Sequence, residues 1–146
     1  MGNLKFCDFS NDAVHKWDRY VLTSPEATFY HQIAWKNIVE KIFKHKSYYL
    51  YFEEDGHIKG ILPLFFVKSY LLKISALISL PGANYSNICA DSEVIKNSLI
   101  NGAIELARKL NVQYLEIRAL RPIENFLVNT DNITFIISLS GEIGNV

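Results

Sequence analysis

The sequence is poor in most features that would mark a special class. It has two cysteines, Cys7 and Cys89, far apart and without a metal-ligand spacing such as C-x-x-C. They read as free thiols of a reducing compartment, so neither zinc nor a disulfide framework is expected. No sign of charge prevails: fifteen basic and fifteen acidic residues cancel and are scattered along the chain. A nucleic-acid stripe or polybasic membrane patch is therefore not expected, and DNA is excluded as a partner. Long hydrophobic runs are missing too. The most apolar stretch, Ile61 to Val67, lies between Lys59 and Lys68 and is too short to span a bilayer, and the N-terminus lacks the apolar core of a signal peptide. These absences predict a cytoplasmic protein with no transmembrane segment. There is no internal repeat, low-complexity tract or interdomain linker.

What is present is material for a core. A chain of 146 residues, 49% hydrophobic and 13% aromatic, suits one compact domain. Ala13, Trp17, Tyr20 and Val21 have helical spacing. Ser24-Pro25-Glu26 supplies a capping hydroxyl, a first-turn proline and an acid, predicting that a helix or helical turn starts there. Trp35, Ile38, Val39 and Ile42 follow at i, i+3, i+4 and i+7, the buried stripe of an amphipathic helix ending near Phe43.

From Tyr48 the period changes to two. Apolar runs on either side of Glu54-Asp55-Gly56-His57 predict a β-hairpin, because Asp-Gly suits a tight two-residue turn. Pro63 in its second arm cannot donate to a ladder, which implies an edge or a bulge there. Ile74 to Leu80 reads as a third strand. Asp91-Ser92-Glu93 then caps a helix carrying Ile95, Leu99, Ala103, Leu106 and Leu110, with Asn111 as a left-handed stop. "VQYLEIR" places Val112, Tyr114, Glu116 and Arg118 on one strand face, and Ile133 to Leu139 is a last strand-like run. This order predicts a mixed sheet with helices on both faces.

Between the third strand and the helix stands "SLPGANYSNICAD", with a Pro-Gly start, Asn84, Tyr85 and Asn87. An amide and a phenol there could hydrogen-bond and stack on a sugar or peptide in a cleft, or the asparagines could merely cap a turn. Glu116 and Arg118 could hold a substrate carboxylate or form a structural ion pair. Tyr30, His31 and Trp35 could wall a cleft, or Trp35 could pack in the core beneath a surface His31. His15, His45 and His57 read as surface residues. No partner base accompanies Cys89, so it reads as a buried thiol.

Taken in succession, "EATFYHQIAW", "GILPLFFVKS", "ISLPGANYSNICAD" and "YLEIR" resemble the N-terminal half of the FemAB-like peptidoglycan-bridge acyltransferases, nearest the branch associated with exopolysaccharide loci. The resemblance implies an α+β, GNAT-like fold: a mixed, mostly antiparallel sheet flanked by helices on both faces. Residues 1–146 would form a single such domain, the N-terminal half of a two-half enzyme. It implies transfer of an aminoacyl or acyl group to an amine of a cell-wall or polysaccharide precursor, with this chain supplying the acceptor-binding half. The donor in the complete enzyme would be aminoacyl-tRNA or acyl-CoA, and the partner a second GNAT-like half or another copy. Asn84, Tyr85, Trp35 and Arg118 are the expected substrate-binding residues; no catalytic residue, cofactor site or metal site is assigned. Where the family has paired glycines after the tyrosine, this chain has Ser86 and Asn87. "NICADSEVIKN" lacks the Gly-rich turn that would hold the pyrophosphate of CoA, so CoA is not expected to bind here. The alternative is a non-catalytic GNAT-like module that binds a glycan precursor or a protein.

Overall fold

A computed structural model describes residues 2–69, 71 and 73–131. The strand expected at Ile133 to Leu139 lies outside them. Six strands and three helices follow one another as β1 (Asn3–Phe6), α1 (Asn11–Thr23), α2 (Ile33–Phe43), β2 (Lys46–Glu54), β3 (His57–Ser69), β4 (Ile74–Ser79), β5 (Cys89–Ala90), α3 (Glu93–Lys109) and β6 (Tyr114–Glu116). A single 3₁₀ turn, Phe29–His31, precedes α2. The sheet order is β1-β2-β3-β4-β6, with β5 on β3. All pairs are antiparallel except β4 with β6, where Leu77 faces Leu115. The expected mixed, mostly antiparallel sheet is therefore present.

The hairpin of β2 and β3 turns on Asp55 and Gly56, both with positive φ (50° and 77°), the geometry of a type I′ turn. Side chains alternate across it. Tyr49, Ile61 and Phe65 face α1 and α2, while Leu50, Leu62 and Leu64 face α3. The helices thus cover opposite faces. On α3, Ile95, Leu99, Ala103 and Leu106 form the buried stripe, Ser92 Oγ accepts from the Ile95 N–H, and Asn111 just past the end has a φ of 50°. Each large apolar side chain buried in this way contributes about 1.5–3 kcal/mol.

Three local expectations fail. Ser24 ends α1 rather than starting a helix: its backbone is extended, its N–H bonds Tyr20 O, and Pro25-Glu26 form only a turn. The next α-helix waits until Ile33, whose N–H is capped across the chain by Asp18 Oδ1 at 2.9 Å. The buried face of α2 is Ile33, Lys36 and Val39, while Ile38 and Ile42 are exposed. Lys36 replaces them because its stem packs inward, its Nζ lies 4.1 Å from the Phe9 ring centroid, and it pairs with Glu40. Pro63 sits in a central strand, neither at an edge nor in a bulge. Tyr49, opposite it, accepts from Cys7 N–H, so its own polar groups point toward β1 and Pro63's backbone N points away from β2. On that side β3 is paired by β5 up to Ile61 and by β4 from Leu64, so the missing N–H falls in the gap between the two partners.

Candidate functional site

That gap exists because the chain leaves the sheet after β4 and returns at β5. Leu80 begins the excursion with a φ of 41°, a conformation costing an L-residue about 1–2 kcal/mol, offset by complete burial of its side chain. Pro81 and Gly82 form the centre of a type II turn, with Gly82 at φ 84° and the Ala83 N–H on Leu80 O at 3.1 Å.

The loop is then fastened from two sides. On one, His31 is fully buried, with Nδ1 accepting the Thr28 N–H at 3.0 Å. Nε2 therefore carries the proton and donates to the carbonyls of Ser86 (3.2 Å) and Asn87 (3.1 Å). Burial lowers the pKa of His31 despite these bonds, which keeps the ring neutral. The expected surface His31 is thus a core residue. On the other side, Ser86 N–H donates to Arg118 O at 2.6 Å, Ser79 and Ser86 hydroxyls bond at 2.7 Å, and Arg118 N–H donates to Ser79 Oγ at 2.9 Å. Asn87 Oδ1 accepts from Leu120 N–H. The Ser86 hydroxyl and the Asn87 amide thus add two fastenings that glycines could not supply.

The parallel pairing of β4 and β6 reaches Ile78 and Glu116, and an open groove of about 1410 Å³ runs along β6 from Tyr114 and past its end, where Asn84, Tyr85, Arg118, Arg121 and Phe126 line it. Asn84, Tyr85 and Arg118 lie past the carboxyl ends of the one parallel pair, the side on which open parallel sheets bind ligands. Arg118 Nε donates to Glu116 Oε1 at 2.7 Å and Nη1 to Ala83 O at 3.1 Å. Both partners of the ion pair are about a third exposed, so it holds the guanidinium in place more than it stabilises the fold. The remaining N–H groups of Arg118 are left for a carboxylate or phosphate. Asn84 is exposed and Tyr85 half-buried, with an amide and a phenol beside that cation.

Three of the four expected substrate residues therefore meet. Trp35 does not line this groove: it packs on Tyr30 at 4.9 Å between ring centroids and abuts the Gly82 turn from behind. Its indole N–H is enclosed without an acceptor among the described residues. The supporting residues His31 and Ser79 had no signal in the sequence, since their partners are distant in the chain.

Other reactive groups are shielded. Burial pushes the Cys89 thiol up to about 12 and raises that of Cys7. The Tyr20 hydroxyl, also raised by burial, donates to Asp91 Oδ1 at 3.0 Å. Two carboxylates flank the start of α3: Asp91, 3.5 Å from Lys59 Nζ, and Glu93, paired with Lys96. Among the described residues no three His, Cys, Asp or Glu side chains gather as a metal site, and no helix is long and apolar enough to cross a membrane.

No protein-family model matches the sequence, and no curated protein matches it. Solved structures do match in fold. A ribosomal-protein-alanine N-acetyltransferase from Brucella melitensis biovar Abortus 2308 is 12% identical with a TM-score of 0.62, covering 94% of this chain and 99% of its own. A GNAT family acetyltransferase from Staphylococcus aureus subsp. aureus USA300_TCH1516 is 16% identical with a TM-score of 0.60, covering 93% and 98%. FemX is 18% identical with a TM-score of 0.55, covering 66% of this chain and 23% of FemX. The fold is the GNAT acetyltransferase fold.

Proposed function

We propose, on the premise of that fold, that the chain is the acceptor-binding module of an N-acyltransferase. It would serve transfer of an aminoacyl or acyl group from an activated carrier to an amine of a cell-wall or polysaccharide precursor. The observation that carries this reading is the groove past β4 and β6, where Asn84, Tyr85 and Arg118 converge. In the reaction, the amine nitrogen attacks the ester or thioester carbonyl carbon, the carbonyl oxygen takes negative charge, and the C–O or C–S bond breaks as the nitrogen's proton passes to the leaving group. Arg118 would hold an acidic group of the acceptor and Tyr85 its sugar or peptide face, so that the amine is presented in one orientation.

Electrostatics argues for a donor bound elsewhere. A CoA diphosphate at the start of α3 would meet Asp91 and Glu93 rather than bare amides. A second GNAT-like half or another copy would supply the donor surface; in FemX, of which 23% is covered, further chain accompanies the shared fold. The chain alone should then show no transfer from acyl-CoA or aminoacyl-tRNA. Adding the second half should be required for turnover.

Calorimetric titration with a nucleotide-sugar peptide tests the reading. Saturable binding, weakened fivefold or more in Tyr85→Ala, would support it, as expected for about 1 kcal/mol of aromatic and hydrogen-bond contact. Tight binding of acetyl-CoA with turnover by the monomer would overturn it. A second reading, a non-catalytic precursor- or protein-binding module, is favoured by one fact: the buried His31 and Cys89, the groups best suited to base or nucleophile, are locked or shielded. It predicts binding of the same precursor and no turnover with any second half.

A further inference from the structure

The fold gathers charges that the sequence scatters. α2 and α3 both end, β2 and β6 start, and β3 turns into β4 at one end of the sheet, as the registers of Lys46 with Phe66, Ser69 with Ile74 and Ala76 with Tyr114 require. The segments meeting there are 40–47, 66–69 with 73–76, and 105–114. They hold Lys41, Lys44 and Lys46 on the α2 side, Lys68 and Lys73 at the β3–β4 turn, and Arg108 and Lys109 at the end of α3. Their acids are Glu40, which already accepts from Lys36 and Ser47, and Glu105. The opposite end is balanced instead: Glu53 pairs with Lys5, Asp91 with Lys59 and Glu93 with Lys96, beside Glu54 and Asp55 at the hairpin turn. In a chain of zero net charge, an excess of cations thus gathers at one end of the sheet.

The basic end is also apolar. Ile42 is 64%, Phe43 54% and Leu71 93% exposed, lying among lysines 41, 44 and 73, which have no ion pair among the described residues. Both helices present their negative dipole ends here, which suits cations on the protein but leaves the lysine heads pointing to solvent.

We infer that this end docks on an anionic lipid surface, with the lysines at the headgroups and Ile42, Phe43 and Leu71 in the boundary with the acyl chains. Charge complementarity selects an anionic partner, and the branched and aromatic apolar side chains between the cations select lipid over nucleic acid. A lipid boundary buries leucine and isoleucine, whereas a base needs a flat ring to stack on. The part of the groove lined by Asn84, Tyr85 and Arg118 lies past the opposite ends of β4 and β6, so a docked molecule presents it to the aqueous phase and takes its acceptor from solution.

Co-sedimentation with vesicles of phosphatidylglycerol and phosphatidylcholine, against vesicles of phosphatidylcholine alone, tests this. Binding is expected to the anionic vesicles only and to fall with added salt. Each basic residue near an anionic leaflet contributes roughly fivefold in partitioning, so Lys41→Gln/Lys44→Gln/Lys73→Gln should weaken it about 100-fold. These three side chains are exposed, and circular dichroism checks that the variant keeps its fold. Leu71→Ser should lower binding to the same vesicles without changing the salt dependence. Failure of the wild type to sediment, or equal sedimentation of wild type and the triple variant, would overturn the inference. So would retention of a structured RNA at a salt concentration where vesicles are not bound.

Discussion

On the face of the sheet covered by α3, Leu50, Leu62, Leu64 and Leu77 meet Ile95, Leu99 and Ala103, and the fully buried layer is aliphatic. On the face covered by α1 and α2, Trp17 lies 4.8 Å from Tyr49 between ring centroids, Phe65 packs edge-on against the same tyrosine, and directed bonds run through the packing. Trp17 Nε1 donates to His31 O at 2.7 Å, and His31 in turn holds the loop at Ser86 and Asn87. Aliphatic contacts are non-directional and set how tightly the helix sits. The bonds of the other face set where the loop sits, and with it Asn84 and Tyr85.

If that contrast is right, truncation should cost more than packing on one face and packing alone on the other. Leu99→Ala is expected to lose about 2–5 kcal/mol of unfolding free energy and Trp17→Ala about 3–5. The informative variants are milder. Leu99→Met should cost less than about 1.5 kcal/mol because volume is kept. Trp17→Phe keeps an aromatic ring but strands the His31 carbonyl, which adds about 1–3 kcal/mol. Equal costs for the two mild variants by urea denaturation would erase the distinction.

A glycine on each side sharpens it further. A Cβ on Gly60 would lie 2.7 Å from Ile95 Cγ2 and 3.1 Å from the Cys89 carbonyl, so Gly60→Ala must push α3 or β5 away, at about 1–3 kcal/mol. Gly82, beside Trp35, has room for a methyl group at 3.6 Å but a φ of 84°. Gly82→Ala should cost about 1–2 kcal/mol through backbone strain alone. Its expected signature is weaker precursor binding, since the turn carries Asn84 and Tyr85; intact affinity with that stability loss would detach the turn from the groove.

The face with directed bonds should also respond to pH. Burial lowers the pKa of His31 in the folded protein. Above the ordinary histidine value of about 6.5 neither state binds the proton, and the full stability is present. Below it the unfolded chain takes up a proton that the folded one refuses, so stability falls, by at most ~1.4 kcal/mol per pH unit, until the folded value is reached. Chemical denaturation between pH 7 and 5 should show this slope in the wild type and a shallower one in His31→Gln. Parallel slopes would mean that the ring is not the group responsible.

The same contrast explains what could be read in advance. The hairpin was legible because Asp55-Gly56 is a local signal for a local turn, and α3 because Ser92, the period from Ile95 to Leu106 and Asn111 agree. The stripe on α2 was misread because Lys36 counts as polar in any periodicity, although its stem is buried. His31 was misread because the carbonyls that hold it lie 55 and 56 positions away. Asn84, Tyr85 and Arg118 were grouped by the family resemblance, and the physical reason that they meet is the parallel pairing of β4 with β6, which aligns the ends of the two strands. Trp35, grouped with them by the same resemblance, packs against the Gly82 turn and does not line the groove.

Lys36→Met should have the smallest effect and tests the least expected residue of the polar face. Methionine keeps the buried stem and adds no unpaired charge, but it removes the 2.8 Å pair with Glu40 and the cation over Phe9. Burial works to raise the pKa of Glu40, yet the bonds from Lys36 and Ser47 outweigh it and hold the carboxyl below its ordinary value. A carboxylate depressed in this way contributes stability above its unfolded pKa, and that contribution is lost as pH falls through the folded value. At pH 7 the loss of the pair and the gain of an apolar tip should nearly cancel, leaving the variant within about 1 kcal/mol of wild type. As the pH is lowered toward about 3, where carboxylates protonate, the pair no longer favours the wild type, and Lys36→Met should become the relatively more stable of the two. A stability difference that does not move with pH would show that Lys36 serves α2 through its stem alone.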